Sequence, residues 1–336
     1  MNEIACVVGI DVAKRKFDIA LLTNNKIKSK VFDNTPLGHK AFADWLGERG
    51  TLPEQTHLCM DATGPYSETL ATSLVAEGWR VSVVNPARIK GFAQSELARN
   101  KTDRADAALL ARFCAAMRPS LWTPPPVAWR ELRGWGDRLQ ALKEMSQQES
   151  NRMEAHVASG QTHLIHDVQI HLDWLNNKIE QLTRDIHDHI DRHPDLKHDA
   201  ELLRSIPGMG DTTIAKILAY AGDVRRFTHA KAFAAFMGVT PRQRLSGSSV
   251  KGRTMMSRTG HSELRRALTM PGLVARRHNP VLKIFGDRLS TTGLAPKAVV
   301  GAVMRKLAHL IYGIIKSGQP FDANFNHSAL AIQDGI

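Results

Sequence analysis

The sequence predicts an α/β domain followed by a mostly all-α remainder, and three features carry that division. Residues 1 to about 118 alternate short apolar runs with helix-start signals, residues 124–126 are three consecutive prolines, and apolar spacings of three and four dominate beyond them. Consecutive prolines favour extended backbone and break helices, so a boundary is expected there. With 336 residues the chain has room for about two cores.

The first element is an apolar run at residues 5–10, separated from a second at 17–22 by the basic turn Lys14-Arg15-Lys16. A third candidate strand, 27–32, follows Asn24-Asn25, and the three read as an antiparallel meander. A helix starts at Asn34-Thr35-Pro36 and runs toward Gly47. Then come a strand ending at Asp61, a helix over 66–77, a strand over 80–84 stopped by Asn85-Pro86, and a last helix from near Thr102 to Met117. A three-stranded meander followed by helix and strand alternation is the order of a ribonuclease-H-like (RuvC-like) domain, assigned to residues 1–120.

Residues 121–196 read as a helical connector. Its first half, 127–159, is polar and helix-favouring; its second, 162–193, carries Leu164, Val168, Leu172, Leu175, Ile179, Leu182 and Ile186 as one stripe. Three heptads leave two readings open, a hairpin packed within its own chain and an intermolecular coiled coil. His163, His166, His171, His187, His189, His193 and His198 crowd this stretch. Their spacing is irregular and no cysteine is near, so they are read as surface histidines and not as zinc ligands. Residues 197–336 form a mostly helical, basic third region: between Arg225 and Lys306 there are 17 Lys and Arg against Glu263 and Asp287.

Composition narrows the function classes. Hydrophobic content of 43% with 23% charged residues is that of a globular protein. A net charge of +12 and a pI near 9.8 point to a polyanionic partner, nucleic acid before membrane. No apolar run approaches the roughly 20 residues that span a bilayer, and no secretory leader is evident, so a cytoplasmic, nucleoid-associated protein is expected. Cys6, Cys59 and Cys114 are far apart in apolar surroundings and read as buried free thiols.

Four carboxylates carry the chemistry. Asp11 and Asp61 end predicted strands, and Asp103 and Asp106 share a helix face. Acids at the ends of buried strands are costly unless paired, and Mg²⁺ takes carboxylate oxygens, so a metal site of phosphoryl-transfer type is expected. Taken singly, each could be a surface acid or a cap, as Asp103 could be for its helix. Asp11 also invites comparison with the first phosphate loop of actin-like kinases, but Val12 and Ala13 follow where such a loop needs glycine.

Two further segments read as phosphate binders. Ile206-Pro207-Gly208-Met209-Gly210 has helix-hairpin-helix form, with Gly208 and Gly210 letting backbone approach an anion at a helix N-terminus. Residues 240–253 place Ser246, Ser248 and Ser249 in a glycine-containing loop among Arg242, Arg244, Lys251 and Arg253. Lys101 and Arg258 complete the expected nucleic-acid contacts. On residue types alone a phosphate-binding loop outweighs a serine nucleophile, because no histidine base adjoins.

Val8-Gly9-Ile10-Asp11-Val12-Ala13-Lys14, Asp61-Ala62-Thr63-Gly64-Pro65-Tyr66, Val83-Val84-Asn85-Pro86, Asn100-Lys101-Thr102-Asp103-Arg104-Ala105-Asp106-Ala107, the glycine turn at 206–210 and Ser246-Gly247-Ser248-Ser249-Val250-Lys251-Gly252 together resemble one family in the same order over nearly the whole chain. It is the Piv-invertase-related DEDD family of insertion-sequence transposases, which includes bridge-RNA-guided DNA recombinases. The resemblance implies that Asp11, Asp61, Asp103 and Asp106 bind Mg²⁺ and that Ser246 attacks DNA to form a phosphoserine link. It also implies target and donor DNA and a bridge non-coding RNA as partners, and a dimer or tetramer on nucleic acid. The family's second acid is usually glutamate; Asp61 is one methylene shorter. Two alternatives stand beside this reading: a Mg²⁺-dependent endonuclease that resolves branched DNA by water attack, and a non-catalytic nucleic-acid scaffold.

Overall fold

The computed structural model describes residues 4–24, 26–97, 102–246, 250–257 and 259–324, with backbone alone at 243–246 and 250–253. The chain forms two compact units, Met1–Pro124 and Pro125–Ile336.

In the first unit, β1 (Cys6–Val12), β2 (Lys16–Thr23), β3 (Lys26–Asp33), β4 (Thr56–Asp61) and β5 (Arg80–Val84) form one sheet in the order β3-β2-β1-β4-β5. β1, β2 and β3 pair antiparallel, whereas β4 and β5 run parallel to β1. This is the expected ribonuclease-H-like order. Strand alternation gives each face its own core. Val8, Ile10, Phe17, Ile19, Leu58 and Met60 pack with Phe42 and Leu46 of α1 (Pro36–Gly47) and with Leu70 and Leu74 of α2 (Pro65–Ala76). On the opposite face α3 (Pro86–Ser95) offers Ile89 and Phe92, and α4 (Asp103–Met117) offers Leu110, Phe113 and Cys114, to Val7, Cys59 and Val84.

Helix α3 lies where the sequence reading placed only a strand stop. The Asn85 side chain accepts from the Ala87 amide and Pro86 fills the first turn, so the same dipeptide also starts a helix. Helix α4 is capped by Thr102, whose hydroxyl accepts from the Ala105 amide; Asp103, considered for that role, is the first helical residue instead. The three cysteines are buried and free, as expected.

Helix α4 lies almost directly on strand backbone. A Cβ at Gly9 would stand 2.1 Å from the Ala107 carbonyl oxygen and 2.2 Å from the Ala111 nitrogen. Ala20, Ala107 and Ala111 complete this small-residue contact, so glycine and alanine set the depth at which α4 sits over β1 and β2.

The second unit begins with α5 (Val127–Ala158) and α6 (Thr162–Arg192). They pair antiparallel within the chain: Ser146 bonds Asn176, and His189 bonds the Ala128 carbonyl. Of the predicted stripe, Val168, Leu172, Leu175 and Ile186 are buried. After α7 (Pro194–Arg204), α8 (Asp211–Ala221) and α9 (Ala230–Phe236) comes a two-stranded ribbon, β6 (Pro241–Ser246) and β7 (Val250–Met256). The chain continues through α10 (Ser262–Ala267), α11 (Thr269–His278) and α12 (Pro280–Thr291) to α13 (Pro296–Ser317).

Trp129, Leu132, Ile186 and Ile190 at the connector's root share one core with Leu203, Ile217, Phe233 and the buried face of α13. By length and composition α13 could cross a bilayer, which the sequence reading did not anticipate. Val299, Val303, Leu307, Ala308, Ile311 and Ile315 are all buried, so its apolar side is accounted for as core.

Candidate active site

The acid site is built by strand alternation. On β1, Val7 and Gly9 face α4, and Asp11 is the next residue in that series. Ile10 pairs with Met60, so Asp11 and Asp61 end adjacent parallel strands at the same edge of the sheet. The buried aspartate Asp18 stands directly across the antiparallel ladder from Asp11. The first turn of α4 brings Asp103 and Asp106 over this edge, at the height set by Gly9.

Burial and mutual repulsion disfavour negative charge in the cluster, a cost that a bound cation would offset. Burial, then the charges of Asp61, Asp106, Asp103 and Asp18, push the Asp11 carboxyl up to about 6. Asp61 is also raised, first by burial, against a lowering backbone hydrogen bond, with Asp106 adding to the rise. One oxygen of Asp61, Oδ1, is buried with no hydrogen-bond partner. An orphaned carboxylate oxygen among like charges suits a divalent metal with oxygen ligands, so Asp11, Asp61 and Asp106 fit the expected ion.

Lys16 supplies a local positive charge. Its Nζ donates to Asp103 at 2.8 Å and to Asp18 at 3.1 Å, which raises the ammonium to about 12 and lowers Asp103. Asp103 is therefore held by lysine at the exposed rim of the cluster. Among the described residues, no three of these carboxylates bring oxygens within 4.8 Å of one another. Sequence reasoning overlooked Lys16 and Asp18; a tight turn at 13–15 implies an Asp11 to Asp18 pairing, which was the available signal.

Ser246 is the last residue of β6 and pairs with Val250, so residues 241–246 and 250–253, expected in a loop, lie in an antiparallel ribbon, and 247–249 lie outside the described residues. Arg242 is exposed on it, and Arg244, Lys251 and Arg253 lie in its two strands. Lys101, Ser248, Ser249 and Arg258 lie outside the described residues.

The glycine turn joins α7 to α8, with Gly210 directly before the first residue of α8. Gly208 has φ +100°, and a Cβ there would meet the Ala275 backbone nitrogen at 3.0 Å, so glycine admits the close approach of α11. Space beside Gly210 is open, but Asp211 occupies the first turn of α8 and is bonded to Arg204 at 2.9 and 3.0 Å. An acid already at that helix start opposes a phosphate there.

Comparison with known proteins accounts for both units. Residues 8–160 match a DEDD transposase family model of IS110 type, and residues 200–286 match the model described as "Transposase IS116/IS110/IS902 family". Over 316 residues the chain is 33% identical to the pilin gene-inverting protein of Moraxella bovis, covering 94% of this chain and 97% of that protein. The chain belongs to the IS110 family of transposases and pilin gene-inverting proteins. The Moraxella lacunata pilin gene-inverting protein matches equally well, at 33% over 316 residues. T. thermophilus RuvC in complex with a Holliday junction aligns with 33% of this chain and 95% of its own, at 14% identity and a TM-score of 0.26. The fold assignment rests on the sheet order and not on that alignment. As an IS110-family member the chain is a DNA-processing enzyme of the transposase and DNA-inverting class.

Proposed function

We propose that this IS110-family chain is a DNA recombinase that cuts and rejoins strands through a phosphoserine link, using Asp11, Asp61, Asp103 and Asp106 with Mg²⁺ and Ser246 as nucleophile. The observation that carries the reading is the acid cluster itself: three buried or half-buried aspartates with an unpartnered Asp61 oxygen, beneath a helix start that adds two more acids. The family's serine motif at 246 and the basic ribbon around it support the other half.

In the proposed reaction the Ser246 hydroxyl oxygen bonds to phosphorus as one strand P–O bond breaks. The departing strand end takes a proton to become a hydroxyl, while serine loses its own. Attack by a second strand's hydroxyl reverses the exchange, so one phosphodiester replaces another without a high-energy cofactor. Bound at Asp11, Asp61 and Asp106, Mg²⁺ would supply positive charge against the developing charge on phosphate oxygens. Asp11 must be ionised for this, and its raised pKa leaves it so near neutral pH. Arg242, Arg244, Lys251, Arg253, Lys101 and Arg258 hold DNA backbone, and their contribution falls as salt rises.

Sequence selection is proposed to lie in a bridge RNA that pairs with target and donor DNA. The protein then acts in the cytoplasm as a dimer or tetramer on nucleic acid, because two duplexes exchanging strands need several active sites.

The test compares Ser246→Ala, Asp11→Asn and Asp106→Asn in Mg²⁺-dependent strand exchange and in DNA binding. All three should lose exchange and keep binding. Full strand cleavage by Ser246→Ala would replace this reading with the water-attack endonuclease, and full activity in both acid variants would replace it with the scaffold. Sequencing of co-purified RNA against the DNA flanking the gene tests the guide.

A further inference from the structure

The antiparallel pairing of α5 and α6 brings the first turn of α5 beside the last turn of α6. Three side chains with metal-ligand chemistry meet there: Glu131 from α5, and His189 with His193 from the end of α6, their ligand atoms all within 4.8 Å of one another. The two histidines are four residues apart and so share one side of the helix end. His189 is buried, His193 half-buried and Glu131 exposed, which leaves one side of the trio open to solvent.

Hydrogen bonds to backbone fix which nitrogen of each ring is available. His189 Nε2 lies 2.9 Å from the Ala128 carbonyl oxygen, and a carbonyl only accepts, so Nε2 carries the proton. His193 Nδ1 lies 2.7 Å from the His189 carbonyl oxygen and is protonated by the same argument. Neutral rings held this way keep one lone pair each, on His189 Nδ1 and on His193 Nε2. His189 Nδ1 faces a Glu131 carboxylate oxygen at 3.9 Å, beyond hydrogen-bond length and short enough for an ion between them. Metal-binding histidines almost always donate their second N–H to a carbonyl, carboxylate or water in this way.

We propose that Glu131, His189 and His193 form a binding site for one zinc-class divalent ion at the root of the connector. Two imidazoles and a carboxylate form a donor set that suits Zn²⁺, with a solvent molecule in the remaining position. The site lies within the second unit and shares no residue with the aspartate cluster of the first, whose all-oxygen donors suit a harder cation. An ion here ties the start of α5, directly after the triple-proline segment, to the junction of α6 and α7. It thereby stiffens the base of the hairpin.

The test uses full-length protein stripped with chelator, with zinc chloride alone as probe in calorimetry and cobalt(II) as spectroscopic probe. The wild type should bind one zinc per chain and give visible cobalt absorption from a nitrogen and oxygen site. Glu131→Gln with His193→Gln should lose affinity by about 100-fold or more, whereas Asp11→Asn with Asp106→Asn should keep the site. Glu131→Gln alone, an exposed substitution, should show a loss in the same direction and serves if the double variant misfolds. Equal zinc affinity in wild type and the Glu131 variants would overturn the proposal, as would loss of the site in the aspartate variants.

Discussion

Gly9→Ala tests whether the acid site depends on how deeply α4 sits on β1. The added Cβ would stand 2.1 Å from the Ala107 carbonyl oxygen and 2.2 Å from the Ala111 nitrogen, where ordinary contact begins at 3.4 Å. Both atoms belong to helix backbone, so no side-chain rotation relieves the clash, and α4 must retreat by about 1 Å. Overpacking of this kind costs about 1–3 kcal/mol. Asp103 and Asp106 ride on the same helix, and a misplacement of about 1 Å in a catalytic constellation costs about 100-fold in rate. The variant should therefore fold with reduced resistance to urea and perform Mg²⁺-dependent strand exchange at about one hundredth of the wild-type rate. DNA binding should remain near wild type. Wild-type exchange together with wild-type urea resistance would refute the packing argument.

Two other perturbations address the site's charge. Asp11 holds its proton up to a pH of about 6 in the folded chain and only to about 3.8 when unfolded. The folded state therefore binds more protons between those values, and stability of the metal-free protein falls as pH rises from about 4 past 6, by about 3 kcal/mol at most. Asp11→Asn removes Asp11's share, so its melting temperature should change less than the wild type's between pH 4.5 and 8; parallel curves would sink the assignment. Lys16→Gln releases Asp103 and withdraws a positive charge from the cluster. The Mg²⁺ concentration for half-maximal exchange should fall in this variant, and an increase would show that Lys16 assists metal binding instead of opposing it.

The N-terminal unit was legible because each strand and helix carries its own local signal. Short continuous apolar runs mark β1, β2 and β4, while Thr35-Pro36 and Thr102 mark helix starts with side-chain hydrogen bonds that the structure contains. Helix α3 is hard to read from sequence because Asn85-Pro86 also ends β5, and an asparagine before a proline satisfies both roles. The strands of ribbon β6-β7 were not read because arginine, serine and glycine over 240–253 suggest a phosphate-binding loop; the alternation of arginine with other residues at 242–246 is the strand signal. Register explains the overlooked acid: Asp18 becomes a neighbour of Asp11 only once the hairpin pairing is known.

Long-range packing was the least legible layer. The close approach of Gly208 to Ala275, 67 positions away, has no local signal in the sequence. His189 and His193 look like two of many surface histidines until the hairpin brings Glu131 to them. Asp103 looked equivalent to Asp106 in sequence, but Lys16, placed by the β1-β2 turn, holds only Asp103.

Strand-exchange reactions stopped midway with denaturant, then separated and digested for mass spectrometry, test the proposed use of Ser246 together with the aspartates most directly. The expected result is DNA linked through phosphate to the peptide containing Ser246, formed in Mg²⁺ by the wild type and lost in both Ser246→Ala and Asp106→Asn. Strand cleavage with no protein-bound DNA, or a link mapped to any other residue, would contradict the pairing of Ser246 with the aspartate cluster.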